Sequence, residues 1–358
     1  MIVTTQVPYA LCRLGVVMTP DPDDPNEAEG VLNPGSGRLP DGTRWLLPRL
    51  VAAGNVSRVG LAAIEVHAGV PTGVRRDAIV LQPDAGWEQS TSHSGVEDPR
   101  TTWLADLGLH LMTYVAYGPL GPKPALAVST DLRDWKRLGP LHFEFQLDLD
   151  TDLNLYPNKD VVYFPEPVPG PDGRLCYAAL HRPMWDLDWI SPGAGTPLPA
   201  GLDDDRPGIW ISYVPVDDVA RSTSNLVHLS GHRLLAMPQF EFEAVKIGAG
   251  PAPLRIPEGW LLIHHGVSGE LTAGFEQQQK VNYAAGAMIL SADDPSQVIA
   301  RTEHPLLAPE TDDERTGIVP NVVFPTAIET IDDRIFVFYG MADSKIGVAE
   351  LTRIGAST

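Results

Sequence analysis

Leu109-His110-Leu111-Met112-Thr113-Tyr114-Val115-Ala116-Tyr117, followed after a short break by Pro124-Ala125-Leu126-Ala127-Val128-Ser129-Thr130-Asp131, is the stretch whose reading decides the fold. An apolar and aromatic run, a break, and a second run of small residues ending near Asp read as two paired strands. The same pattern recurs. Arg44 to Val51 is followed by Ser57 to Ala63, Leu175 to Arg182 by Gly208 to Tyr213, Trp260 to Val267 by Tyr283 to Leu290, and Arg334 to Gly340 by Ile346 to Leu351. The copies start near residues 44, 109, 175, 260 and 334, about 65 to 85 residues apart. A four-stranded propeller blade repeats every ~40–50 residues, so loops are inserted between strands. The clearest such loop is Trp185 to Pro207, rich in Asp, Pro and Gly. Five strand-rich repeats without a helical period predict an all-β fold, a five-bladed β-propeller. Two stacked β-sandwiches are the rival, but no linker-like boundary divides the chain. Residues 1–358 are expected to form a single domain.

Composition narrows the function. The 358 residues carry 33 Gly and 34 Pro, which argues for many turns and few long helices. A formal net charge of −20 disfavours nucleic acid and anionic membrane surfaces as partners, since both need clustered cations. An anionic substrate would need a local exception to that field. Cys12 and Cys176 cannot build a disulfide framework or a cysteine zinc site and read as small hydrophobes in a reducing compartment. No apolar window spans a membrane. The start, Met1 to Val7, lacks a signal peptide's basic and apolar regions, and Arg13 interrupts the only candidate. The expectation is a soluble, cytoplasmic protein.

In a propeller the inner strands bring side chains from every blade to a central pocket, so chemistry should be scattered along the chain. Polar clusters do interrupt or flank the apolar strands: Glu97-Asp98-Pro99-Arg100, Asn158-Lys159-Asp160, His181-Arg182-Pro183, Lys246-Ile247-Gly248-Ala249-Gly250, His264-His265 and Asp343.

These clusters, with Ser129-Thr130-Asp131-Leu132-Arg133-Asp134-Trp135, Tyr283, Pro320-Asn321-Val322-Val323-Phe324-Pro325 and Phe338-Tyr339-Gly340-Met341-Ala342-Asp343, carry a resemblance. In that order the chain resembles glycoside hydrolase family 130, the inverting β-mannoside phosphorylases and related β-mannosidases. The resemblance runs from about residue 33 to residue 351 and implies the same five-bladed propeller.

It implies that Asp98 is the catalytic general acid, passing its proton to the bridging oxygen through a sugar hydroxyl. A general acid must start protonated, so burial is expected to raise the Asp98 pKa. Glycosidases need two carboxyls, whereas phosphate is already an anionic nucleophile and needs no base. Arg182, Lys246, His265 and Tyr283 match the family's phosphate-binding positions. A fork, a point charge and two single donors are what holding a dianion in a protein of charge −20 requires. Alternation along the strand leaves His264 as the structural member of its pair.

Asn33, Arg49, Arg58, Asn158, Lys159, Asp160 and Asp343 are expected to line the sugar or phosphate pocket. Pro157 precedes Asn158 where some phosphorylases of the family carry Arg. The Asp-rich stretch Leu147 to Tyr156 lacks the Gly and distant Glu of a calcium loop and reads as a solvated insertion. Trp135 reads as packing a turn between blades, while Trp185, Trp189 and Tyr156 are candidates for stacking on sugar rings. The implied reaction is phosphorolysis of a terminal β-mannosidic bond to give α-mannose 1-phosphate. No cofactor is needed beyond inorganic phosphate as co-substrate, and no metal. The partners are a β-mannoside oligosaccharide and phosphate, with a homo-oligomer left open. A hydrolase of the same family, with Glu241 or Glu243 as base, and an inert sugar-binding propeller are the rivals.

Overall fold

The structure is a computed structural model describing residues 6–90, 94–119, 121–187, 193, 195, 198–271 and 278–355. It is all-β. In chain order its strands are β1 (Tyr9–Met18), β2 (Gly30–Arg38), β3 (Arg44–Ala52), β4 (Val56–His67), β5 (Val70–Leu81), β6 (Gly95–Leu104), β7 (Leu109–Gly118), β8 (Gly121–Ser129) and β9 (Lys136–Pro140). They continue with β10 (His142–Phe143), β11 (Asn158–Tyr163), β12 (Val168–Pro169), β13 (Leu175–Pro183), β14 (Ile209–Pro215), β15 (His228–Ala236), β16 (Lys246–Ala249) and β17 (Leu254–Ile256). The last are β18 (Gly259–Glu270), β19 (Lys280–Leu290), β20 (Val298–Arg301), β21 (Val323–Ile331), β22 (Arg334–Met341) and β23 (Lys345–Arg353). The only α-helices among the described residues are the short α1 (Val216–Arg221) and α2 (Asp312–Arg315), and none is long and apolar enough to cross a membrane.

The sheets follow the repeats, with one difference. β11, β13, β14 and β15 form one sheet, β16, β18, β19 and β20 another, and β21, β22, β23 and β1 a third. The first two expected repeats, β2 to β5 and β6 to β9, run together as one eight-stranded sheet. Its halves meet through a single parallel bridge, Ser57 to Gly95. Here the third strand of one repeat comes near enough to the first strand of the next for one pair of residues to bond.

The middle strands are buried on both faces because each sheet is covered by its neighbours, which is why their sequences read as continuous apolar runs. Trp45, Leu47 and Val59 meet Met112, Tyr114 and Ala125 between the halves of the large sheet. Leu111, Leu126 and Val128 meet Val161, Tyr163 and Tyr177 across the next gap. Leu180, Ile209 and Ile211 meet Ile247, Trp260 and Leu262, and Leu261, Ile263 and Ala287 meet Val337 and Leu351. Phe336 and Phe338 then pack on Val31, Leu46 and Leu50, returning to the first sheet. This circular succession of sheets is a β-propeller architecture. β1 pairs with β23, so the N-terminal segment supplies the outer strand of the C-terminal sheet.

The inner strands share a local device. β2 loses register with β3 between Leu32 and Gly35, β6 with β7 between Glu97 and Arg100, and β11 with β13 between Lys159 and Val162. At each break stands an Asn or Asp with positive φ: Asn33 at 42°, Asp98 at 48° and Asp160 at 58°. Short polar side chains tolerate this left-handed conformation better than other non-glycine residues. A bulge of this kind re-aims a side chain.

Candidate active site

The three bulges contribute to two adjoining clusters. In the first, Asp98 Oδ1 accepts from Asn33 Nδ2 at 2.8 Å and from Arg49 Nη1 at 3.0 Å. Arg49 also donates to Glu97 Oε1 (2.9 Å) and Ser57 Oγ (2.8 Å), and Lys159 Nζ lies 3.6 Å from Glu97 Oε2. Asn33, Arg49, Glu97 and Asp98 are all buried. The close approach of Asn33 needs Gly340, where an added Cβ would lie 2.0 Å from Asn33 Oδ1.

The electrostatics of Asp98 reverse the sequence expectation. Burial works to raise its pKa, but Arg49 and Lys159, the Asn33 hydrogen bond and Arg100 outweigh it, and the carboxyl sits below its ordinary value. The raised carboxyl is Asp343. Burial pushes it up to about 6 against the pull of Arg49, and the neighbouring Asp98 and Glu97 charges add to the rise.

The second cluster is built on Asp160. Its buried carboxylate accepts from Arg182 Nε at 2.5 Å and Arg100 Nη2 at 3.0 Å, with His265 Nε2 at 3.5 Å. Burial opposes this charge, but the two arginines hold the carboxyl far below its ordinary range. Arg100 also donates to the carbonyls of Gly250 (3.0 Å) and Ala249 (3.1 Å), tying β6 to the end of β16. Gly248 faces Asp160 and His265 so closely that a Cβ would lie 2.2 Å from Asp160 Oδ2 and 2.5 Å from His265 Cε1. The Gly in Lys246-Ile247-Gly248 is therefore a steric requirement of the site.

Around this anchor stand the other predicted residues. Arg182 Nη1 and both ring nitrogens of His265 are buried without a hydrogen-bond partner among the described residues. Burial drives the His265 pKa well below its ordinary value, so the ring is neutral with one N–H to give. Lys246 makes no ion pair with any described residue, and its Nζ lies 5.5 Å from the centre of the Tyr283 ring. Burial, together with Arg182, lowers the Lys246 pKa to about 7 although Asp160 opposes the shift. Tyr283 is 6.0 Å from His265, ring to ring, and its hydroxyl donates to Gln278 Oε1 at 2.8 Å.

Arg182, Lys246, His265 and Tyr283 are thus brought together. Asn33, Arg49, Lys159 and Asp343 gather round Asp98. Three further predicted residues are engaged within the protein. Asp160 anchors two arginines, which leaves it a support for the site. Asn158 accepts from the Arg182 main-chain N–H (Oδ1, 3.1 Å) and bonds His181 through Nδ2 (3.0 Å), so its amide is already engaged within the protein. Arg58 pairs across the sheet with Leu50 while Arg49 pairs with Val59, so Arg58 takes the opposite face from Arg49. Its hydrogen bond goes to the Val56 carbonyl (3.5 Å).

The aromatic candidates differ too. Tyr156 and Trp185 are 2 % exposed, stacked edge-on within the apolar core, and do not present a face to a sugar. Trp189 lies outside the described residues. Trp135 donates to the Leu132 carbonyl and packs at the edge of the apolar cluster around Trp45. Glu243, offered as a hydrolytic base, is fully buried. Its carboxylate accepts from His264 Nε2 and Arg301 Nη2, both at 2.7 Å, and from the N–H groups of Gln239 and Phe240. His264 is the structural partner in its pair, facing Glu243. Sequence reasoning quoted Glu97, Arg100 and Gly248 within the polar clusters but gave none of them a place in the site. A glycine inside a strand was the available signal for Gly248. No group of side chains suited to a metal occurs among the described residues.

Residues 210–354 match a family model described as beta-1,4-mannooligosaccharide phosphorylase. A 1,2-beta-oligomannan phosphorylase of Thermoanaerobacter sp. (strain X514) is 32% identical over 72% of this chain and 68% of its own. A beta-1,2-mannobiose phosphorylase of the same organism is 32% identical over 72% and 67%. The solved structure of a beta-1,2-mannobiose phosphorylase from Listeria innocua, in complex with beta-1,2-mannobiose, superposes with a TM-score of 0.69 over 97% of both chains, at 22% identity. The chain belongs to glycoside hydrolase family 130.

Proposed function

We propose that this protein is an inverting glycoside phosphorylase that cleaves a terminal β-mannosidic bond with inorganic phosphate, giving α-mannose 1-phosphate. The observation that carries the reading is the convergence of donors near Asp160: the buried, free Arg182 Nη1, the buried, unpartnered His265 ring and the half-buried, unpaired Lys246. With Arg100 on the same carboxylate, two arginines face the single Asp160 charge. That is the local exception an anion needs inside a molecule of charge −20. Tyr283 completes the phosphate site. The names of the relatives support the same reaction.

Asn33, Arg49, Lys159 and Asp343 hold the mannosyl residue against Asp98. A phosphate oxygen attacks C1 from the face opposite the leaving group, the C1–O glycosidic bond breaks, and the bridging oxygen takes a proton from Asp98, by way of a sugar hydroxyl. Asp98 is ionised in the free protein, so it must gain that proton as substrate enters. Asp343, with its raised pKa, is the neighbouring carboxyl able to hold one near pH 6.

The hydrolase reading needs a second carboxylate to activate water. Glu243 is engaged on both oxygens, and Glu241 is exposed, so this pair offers no base. We read the propeller as five blades of four strands in one catalytic unit, on the support of the five apolar interfaces and the lone Ser57–Gly95 bridge. The free cysteines Cys12 and Cys176 fit a cytoplasmic enzyme. The test is incubation with β-1,2- and β-1,4-mannobiose, with and without phosphate. Mannose 1-phosphate appearing only with phosphate is the expected result. Equal release of free mannose in both arms overturns the reading.

A further inference from the structure

A hydrogen-bonded chain crosses the sheet of β11, β13, β14 and β15 from axis to rim, taking one side chain from each strand. Asn158 Nδ2 meets His181 Nδ1 at 3.0 Å, and His181 Nε2 meets Ser212 Oγ at 2.8 Å. Ser212 Oγ meets His232 Nδ1 at 2.7 Å, and His232 Nε2 meets the Glu144 carbonyl at 2.8 Å. All four side chains are buried, His181 and Ser212 completely.

The sense of every bond is fixed from both ends. At the rim a carbonyl can only accept, so His232 Nε2 carries its hydrogen and Nδ1 accepts from the Ser212 hydroxyl. At the axis the Arg182 main-chain N–H donates to Asn158 Oδ1, so Nδ2 donates to His181 Nδ1 and His181 Nε2 donates to Ser212. The two deductions meet at Ser212 without conflict, and both rings are neutral. Burial favours that state for each of them. An Asn amide has two orientations that differ little in shape. The chain selects one, and the selected oxygen holds the main chain of Arg182, whose Nε is bonded to Asp160.

We propose that His181, Ser212 and His232 are positioning residues for phosphate: they lock the Asn158 amide so that its oxygen clamps Arg182 with Nη1 directed at the anion. This rests on Arg182 being a phosphate ligand. Neither histidine touches substrate. Their effect passes through Asn158 to one guanidinium, so loss of the chain should separate phosphate affinity from sugar affinity.

The experiment uses Ser212→Ala, His232→Phe and His232→Gln in the full chain, with mannobiose and inorganic phosphate varied separately. Ser212→Ala and His232→Phe should raise the KM for phosphate by about five- to a hundredfold, the range for leaving a buried polar group unpaired. The KM for mannobiose should stay within about twofold. His232→Gln, which keeps a donor for Glu144 and an acceptor for Ser212, should recover most of the loss. Variants that melt earlier yet keep the wild-type phosphate KM would overturn the proposal, as would an equal rise in both constants. A wild-type protein that turns over without phosphate would overturn the phosphorylase reading itself, and the inference with it.

Discussion

In the proposed reaction Asp98, held charged by Arg49 and Asn33, delivers a proton, so its ionisation has to change within the catalytic cycle. Asp98→Asn keeps an oxygen for both donors. It should fold and bind mannobiose while kcat falls by about 10²–10⁴, the usual weight of a general acid. Turnover near wild type, measured as mannose 1-phosphate release, would remove Asp98 from the chemistry. Lys246 makes a prediction in pH. Its pKa of about 7 means that its charge is lost above neutrality, so the apparent phosphate constant should rise as pH rises through 7 to 9. Lys246→Ala should raise that constant about ten- to a hundred-and-fifty-fold at pH 6 and flatten its pH dependence. The stability effect has its own sign. Between about pH 7 and 10.5 the unfolded chain binds a proton that the folded chain does not, so the contribution of Lys246 improves with rising pH across that window. Lys246→Met should accordingly raise the melting temperature, most strongly at or below pH 7, while phosphate binding is weakened as in Lys246→Ala.

At the scale of elements, the site is a product of three bulged inner strands and one glycine. Gly248→Ala would push a methyl group into Asp160 and His265. Overpacking of this kind costs about 1–3 kcal/mol. The visible result should be weakened phosphate binding in a protein with an unchanged β-sheet circular dichroism spectrum. Unaltered phosphate kinetics would show that Asp160 and His265 can move aside freely. These elements also mark what one sequence can convey. The apolar runs announced the strands because middle strands are buried on both faces. Asp98 and Asp160 stood out as polar residues among apolar ones, and the resemblance supplied their neighbours. The bulges were not legible: Asn33-Pro34 and Asp98-Pro99 look like ordinary turn punctuation until pairing is known. Register decided the fate of Arg49 and Arg58, which only cross-strand partners distinguish. Asn158 and Asp160 were recognised as belonging to the site, but whether a polar side chain faces ligand or protein depends on contacts from distant strands. Tyr156 and Trp185 failed as sugar platforms for the same reason, being covered by Trp210 and other core residues from elsewhere in the chain.

For the molecule as a whole, closure joins segments more than three hundred positions apart. β1 bonds along β23, the Ile354 N–H donates to the Pro8 carbonyl at 2.8 Å, and Arg13 Nε donates to the buried Glu314 at 2.8 Å. Tyr339 donates to the same carboxylate at 3.0 Å. Arg13→Ala should lower the melting temperature through a loss of roughly 1–3 kcal/mol, since a buried acceptor loses a charged donor. It should leave kcat unchanged, because Arg13 stands apart from Asp98 and Asp160. A fall in kcat at a temperature where the variant is fully folded would mean that the clasp shapes the pocket. The seam has a further consequence in time. A ribosome releases β1 before every other strand of the ring and β23 after them all, so while the ring is being made the nascent chain carries an unpaired strand whose mate has not yet appeared. The ring can shut only after its last strand has emerged, which makes its completion a late event of long loop closure. A covalent join between residues 8 and 354, with new ends cut in the exposed turn at Pro40 and Asp41, would place β1 and β23 side by side in sequence and turn that slow meeting of distant ends into a local hairpin.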